Sequence, residues 1–240
     1  MRICISLRSE GTEQRVPLSH LDLARNWVSA LRADEDGWVT YSDLRVPTGQ
    51  RSIDTASGEL CIRPGILQWW LASPDDPLLK RLAARAVIGE EWRLAGARFR
   101  VAAVVPYSFP RNMIPATESP SVRFTCWTPI VAGAVSGVEP LTPAEREACE
   151  TRVRRALLDT YVRVYRARPS DDRIAFRFDA PYLDRHPRGG AKRILWRGRS
   201  VAGVLAPFTL AASAEMLRLA WECGVGDRAE KGFGFAEILG

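Results

Sequence analysis

Three stretches of this 240-residue sequence hold residue types that can do chemistry. The first is Gly224-Val225-Gly226-Asp227-Arg228-Ala229-Glu230-Lys231-Gly232-Phe233-Gly234, between a helical pattern and a closing strand pattern. Glycine supplies positive φ and lets another backbone approach closely. Successive N–H groups of such a loop can cradle a phosphate. The order is wrong for a dinucleotide fingerprint, which follows a strand and opens a helix, and the Gly-Lys-Ser/Thr ending of a triphosphate loop is missing. For the glycines alone, a tight helix-to-strand connection with a C-cap glycine is the expectation. The second stretch runs from Arg185 to Arg199. It holds Arg185, Arg188, Lys192, Arg193, Arg197 and Arg199, with His186 and Trp196 and no acid. Basic residues alternating along a hairpin make an electrostatic track for a nucleic-acid backbone. The third is the start of the first helical pattern, where His20 stands; His186 is the only other histidine.

The elements that must position these residues fall into two similar halves. Residues 106–120 carry four prolines in fifteen positions and cannot continue a helix or a central strand. They read as a linker, dividing the chain into residues 1–112 and 118–240. The first half reads as a strand at 2–8, a helix at 19–32, strands at 38–44 and 59–69, a helix at 73–87, and a strand or hairpin at 92–105. Ser19 can cap the first helix with Asp22 at capping-box spacing, and Leu23, Trp27, Ala30 and Leu31 share a face. The second half reads as a strand at 121–131, a helix from Thr142-Pro143-Ala144-Glu145, strands at 173–179, 192–199 and 201–210, a helix at 212–223, and a strand at 232–239. Each half approximates strand-helix-strand-strand-helix-strand. The fold class is α+β: two tandem ferredoxin-like (RRM-like) βαββαβ domains joined by a Pro-rich linker.

Composition removes several classes of function. The longest uncharged stretches, 124–138 and 200–214, fall short of the roughly 20 apolar residues of a membrane helix. The N-terminus alternates and meets Arg8, without a signal-peptide core. The five cysteines are scattered, with no Cys-x-x-Cys, so a disulfide framework or zinc site is not expected and a reduced cytoplasm fits. No metal and no cofactor is expected. The net charge is +6, and of 34 basic residues only Lys80, Lys192 and Lys231 are lysines. Residues 121–240 hold 19 basic and 14 acidic side chains, against 15 and 14 before them, so the excess lies in the second half.

A family resemblance joins these stretches. Arg193-Ile194-Leu195-Trp196-Arg197-Gly198-Arg199-Ser200-Val201-Ala202-Gly203, then Pro207-Phe208-Thr209-Leu210, then Glu222-Cys223-Gly224-Val225-Gly226 and Lys231-Gly232-Phe233-Gly234 resemble the C-terminal signature of the CRISPR-associated repeat-RNA endoribonucleases. Met1-Arg2-Ile3, Val16-Pro17, Thr40-Tyr41-Ser42 and the segment from Phe124 to Val131 are similar too. The resemblance implies tandem ferredoxin-like domains and the maturation of guide RNA from a repeat transcript. The implied reaction needs no metal: the 2′-hydroxyl attacks the adjacent phosphate in line, leaving a 2′,3′-cyclic (or 3′-) phosphate and a 5′-hydroxyl. It needs a base, an acid and cations for the phosphorane charge.

The sequence departs from that family at one point. Many members carry a histidine on or just after the first helix, but residues 33–37 here are Ala-Asp-Glu-Asp-Gly. His20 is the nearby histidine. A helix N-terminus disfavours imidazolium, so a neutral His20 could act as base; equally, it shares the face of Ala24, Trp27 and Leu31 and could pack or cap. The other route uses Arg25, Arg32 and Arg45 for charge, with Tyr41 orienting the attacking hydroxyl or serving as core. The expected RNA contacts are His186, Arg188, Lys192, Arg193, Trp196, Arg197 and Arg199 on the hairpin, and Gly224, Gly226, Arg228, Lys231, Gly232 and Gly234 on the loop. Trp196 either stacks on a base or lies inside. The expected partners are a repeat RNA, commonly a stem-loop, other CRISPR effector-complex subunits, and a second copy of the chain. A second reading on the same fold is an RNA-binding subunit that does not cut.

Overall fold

The computed structural model describes residues 1–9, 11–18, 20–32, 35–133, 142–186 and 190–239. The chain divides into two compact units: residues 1–37 with 41–108, and residues 38–40 with 109–240.

The first unit is built on strands β1 (Arg2–Ser9), β3 (Thr40–Tyr41), β6 (Gly65–Ala72), β7 (Glu91–Leu94) and β8 (Ala97–Tyr107), in the order β3-β6-β1-β8-β7. Helices α1 (His20–Arg32) and α2 (Asp76–Arg85) supply its crossovers. A smaller sheet of β2 (Gln14–Pro17), β5 (Glu59–Ile62) and β4 (Arg51–Asp54) is added to this frame. Taking β1, β3, β6 and β8 as the four ferredoxin strands, the sheet order is second, third, first, fourth. The core is aromatic. Trp27 of α1 lies 5.3 Å from both Trp69 and Trp92, and its indole N–H donates to the Arg93 carbonyl at 2.8 Å. That donor must be satisfied once the ring is buried.

The second unit repeats the frame. Strands β9 (Ser121–Cys126), β10 (Ala175–Phe178), β13 (Phe208–Ala211) and β14 (Ala236–Ile238) run in the order β10-β13-β9-β14, again second, third, first, fourth. Helices α3 (Pro143–Tyr165) and α5 (Ala214–Cys223) make the crossovers, and α4 (Ala180–Arg185) follows β10. Between α4 and β13 the chain inserts the two-stranded hairpin β11 (Ala191–Trp196) and β12 (Arg199–Val204). The two units therefore form tandem ferredoxin-like folds. Phe124 stacks on Phe208 at 5.1 Å in the second core, and Cys149, Val153, Leu157 and Tyr161 of α3 close over it.

Local chemistry accounts for the helix starts. Thr142 and Glu145 form the expected capping box, at 2.9 and 3.2 Å. The Asp75 side chain accepts from Leu78 N at 2.8 Å to open α2, and Ser213 opens α5. The cap expected at Ser19 lies outside the described residues.

Several expected elements differ. The strand expected at 59–69 is two strands in two sheets, broken at Pro64, and that expected at 201–210 is broken at Pro207. Proline has no N–H to give a ladder, so the chain changes sheets there. The strand expected at 38–44 is reduced to Thr40–Tyr41. The short elements β2, β4 and α4 were not expected. The buried face of α1 is Leu21, Ala24, Trp27, Val28 and Leu31, with Leu23 half-buried and Ala30 exposed. A packed helix buries a stripe wider than the single row that the sequence suggests.

Candidate functional site

His20 is the first residue of α1 and only 5% exposed. Its Nδ1 lies 2.8 Å from the Pro17 carbonyl, and its Nε2 makes an ion-pair contact with Asp43 Oδ1 at 2.5 Å. Burial, the largest single influence, opposes the imidazolium. The Asp43 carboxylate and the Pro17 carbonyl together outweigh it and raise the pKa above the ordinary histidine value. This is opposite to the lowering expected from a helix N-terminus, because a carboxylate in contact outweighs a helix end of roughly half a charge. Asp43 is the partner that sequence reasoning missed; twenty-three positions separate it from His20, and no local pattern links them.

The other first-unit candidates have different surroundings. Tyr41 is 1% exposed, with its ring 6.3 Å from Trp69, so it is part of the core. Arg25 lies 3.7 Å from Asp22 on its own helix. Arg32 turns back on the end of α1, donating from Nε and Nη2 to the Glu35 carbonyl at 3.0 and 2.9 Å. Arg45 is exposed, and its backbone is bridged to Gln68.

In the second unit the hairpin β11–β12 closes through Arg197 and Gly198, both at positive φ (49° and 73°). This pairing is what a two-residue type I′ turn requires. Lys192, Arg193, Arg197 and Arg199 are all exposed, and the exposed Leu195 lies among them. Trp196 is instead 6% exposed and packs edge-on against Phe233 at 5.4 Å, which settles its ring inside the unit. His186 ends α4, stacked on Tyr182 at 3.8 Å, with Nδ1 2.6 Å from the Tyr182 carbonyl. Arg188 lies outside the described residues.

The glycine loop is folded inward. Gly224, Gly226, Gly232 and Gly234 are buried, all at positive φ. Gly224 N–H donates to Ala220 at 3.1 Å, Val225 to Gly234 at 3.0 Å, Asp227 to Val131 at 2.8 Å, and Gly234 to Pro129 at 2.9 Å. A Cβ on Gly226 would overlap the Val131 carbonyl, and one on Gly234 the Val225 carbonyl. The Asp227 and Gly234 N–H groups hold the loop to the segment after β9, and those of Gly224 and Val225 close it on α5 and on itself, so these four do not face a phosphate. Lys231 is exposed and Arg228 half-buried, which leaves the loop two basic side chains near its surface. Residues 38–40 belong to this neighbourhood: Thr40 Oγ1 donates to the Ala229 carbonyl at 2.6 Å, and the Arg163 guanidinium stands 5.0 Å over the Trp38 ring. Arg152 Nε and Gly133 N–H both hold Asp227, at 2.7 and 3.0 Å.

Burial pushes the Cys4 and Cys149 thiols up to about 11, so neither is a ready nucleophile at neutral pH. Among the described residues no group of three or more His, Cys, Asp or Glu side chains is placed to hold a metal ion. None of the described helices is long and apolar enough to cross a membrane.

The family described as "CRISPR associated protein Cas6, C-terminal" matches residues 113–238, more than half of the chain. No curated protein matches the sequence. Among solved structures, the chain is similar to one described as an RAMP protein binding different RNA substrates, at 19% identity over all of both chains and a TM-score of 0.80. It is similar to a CRISPR associated protein Cas6, at 14% identity over 100% of this chain and 99% of that one, with a TM-score of 0.77. A third is the product of a Cas6-related gene from Pyrococcus furiosus, at 18% identity over 100% and 98% of the chains and a TM-score of 0.73.

Proposed function

Because the chain belongs to the CRISPR-associated Cas6 family, we propose that it binds CRISPR repeat RNA through its second unit and cuts it into guide RNAs without a metal ion. The observation that carries the binding half is the acid-free hairpin with Lys192, Arg193, Arg197 and Arg199 exposed. A-form RNA is read mainly through its backbone and shape, and arginine forks suit phosphate oxygens. The half-buried Arg228 and the exposed Lys231, which stands 3.8 Å from Glu230, are the basic side chains the glycine loop can add, while the glycines serve the packing that holds the loop. Cas6 structures are recorded as product and substrate-mimic complexes, which supports an RNA-processing role for this chain.

In the cutting step the 2′-oxygen forms a bond to phosphorus and the 5′-oxygen bond breaks. Solvent water takes the proton from the 2′-hydroxyl and delivers one to the 5′-oxygen. The products are a 2′,3′-cyclic phosphate and a 5′-hydroxyl. His20 is poorly suited to be the base, since a buried imidazole with both nitrogens against acceptors has no lone pair facing substrate. In-line positioning of the scissile nucleotides and cationic stabilisation by Arg25 or Arg45 then carry the rate. Arg32, committed to the Glu35 carbonyl, and Tyr41, in the core, are positioning residues in this reading.

The burial of His20 also favours a second reading, in which the protein holds repeat RNA without cutting it. Incubating purified protein with end-labelled repeat RNA in EDTA separates the two. A cyclic-phosphate product is expected; RNA that is bound but intact establishes the second reading, and a magnesium requirement overturns the mechanism.

A further inference from the structure

We infer that the outer face of α3 is the contact between two copies of this chain, packed antiparallel around Thr151. This contact is independent of RNA binding.

Charge left over after internal pairing marks the face. Along α3, Arg146 is held by Asp184 at 2.9 Å and Arg152 by Asp227 at 2.7 Å. Glu147 and Arg155 differ from them: both are exposed, and among the described residues neither makes an ion pair. They cannot reach each other, since eight positions along a helix span about 12 Å. Glu147 has Pro143, Ala144, Glu150 and Thr151 as its helical neighbours, none of them a cation. Asp159 follows Arg155 by four positions, with the basic residue first, which is the weaker order for such a pair.

Thr151 lies between them, four positions from each, and is exposed too. Residues spaced by four form one ridge of a helix. The commonest crossing of two helices, about −50°, lays such ridges side by side. When the neighbouring ridge is the same one from a second copy, running the other way, Thr151 meets Thr151. Glu147 then meets Arg155 at both ends. The face complements itself, as a two-fold interface requires. A parallel pairing sets Glu147 on Glu147 and Arg155 on Arg155, so charge selects the antiparallel one. The surface leaves room for the incoming ridge. A hollow of about 540 Å³ lies over this part of α3, lined by the exposed Ala144 and Ala148 as well as by the ridge. A single helix crossing is smaller than a standard interface, so the dimer is reversible, and its exposed ion pairs make it salt-sensitive.

The test is sedimentation velocity of RNA-free protein over a micromolar concentration range, at low and high salt. It compares wild type, Glu147→Arg, Arg155→Glu, and an equal mixture of the two variants. Wild type should self-associate, more strongly at low salt. Each single variant sets like charges against each other at both ends of the ridge and should weaken self-association at least about 10-fold. The mixture should recover it, because each copy then faces one of opposite sign. Both variants should melt as wild type does, so that lost association is not lost folding. A monomeric wild type, single variants that associate as wild type does, or a mixture that stays monomeric overturns the inference. If wild type is monomeric and another protein binds it through Glu147 and Arg155, the face belongs to that partner and the second copy is the wrong occupant. None of these outcomes touches the RNA-binding reading, which the variants should leave at wild-type affinity.

Discussion

Replacing His20 separates a structural histidine from a catalytic one. In His20→Ala the Pro17 carbonyl loses its partner at 2.8 Å and the Asp43 carboxylate loses its contact at 2.5 Å. The buried carbonyl costs about 1 kcal/mol, and a hydrogen-bonded charge about 1.5–3 kcal/mol, toward the low end here because water reaches the partly exposed Asp43. The sum is about 2–3 kcal/mol, or roughly 4–12 °C in melting temperature for a chain of this size. The pH dependence follows from the raised pKa of His20, which burial opposes and Asp43 and Pro17 drive. A histidine whose folded pKa lies above its unfolded value adds stability that is fully present below about 6.5 and lost as pH rises through the folded value. The gap between wild type and His20→Ala in urea denaturation should therefore be wider at pH 6 than at pH 9. Cleavage measured well below both melting temperatures should change less than about 3-fold, whereas removing a general base costs about 10²–10⁴. A variant that melts like wild type at pH 6 and loses cleavage by two orders of magnitude would refute this account and make His20 the base.

The remaining predictions concern the second unit. Arg193→Glu/Arg197→Glu should weaken repeat-RNA binding at least 25-fold at 0.1 M salt and flatten the salt slope by about 1.4, measured by fluorescence anisotropy. Trp196→Ala should cost about 3–5 kcal/mol in chemical denaturation, because it empties a ring site against Phe233. Trp196→Phe should keep RNA affinity within about 2-fold, as a packed ring requires and a base-stacking one does not. Gly234→Ala should prevent stable folding, since its Cβ would meet the Val225 carbonyl. Gly198→Ala, also at positive φ but with open space, should cost only about 1 kcal/mol by thermal melting.

Much of the fold was legible because its signals are local. Capping by Thr142 and Glu145 fixes the start of α3, and the row Cys149, Val153, Leu157 and Tyr161 gives its buried face. Strand ends were less legible where a single proline sends a chain from one sheet to another, as at Pro64 and Pro207. That choice depends on which sheet edge is vacant, a property of the assembled unit. The site was legible only as composition. The acid-free run to Arg199 marked the hairpin, but whether Trp196 faces inward was open, because the exposed Lys192 and the buried Trp196 lie on the same side of the strand and only the ring of Phe233 decides it. The pairing of His20 with Asp43 was invisible, since a loop contact between distant residues leaves no period in the sequence. The glycines of residues 224–234 were legible as a close approach, but the approaching partner is the protein's own backbone, at Pro129, Val131 and Val225.

Net charge by halves misleads at the first unit for a related reason. Charge sums weigh Arg81 and Arg85 equally with Arg8 and Arg98, although Glu35 neutralises the first two and neither of the others has an ion-pair partner among the described residues. What an anion meets is the charge left over after internal pairing, arranged by strand register.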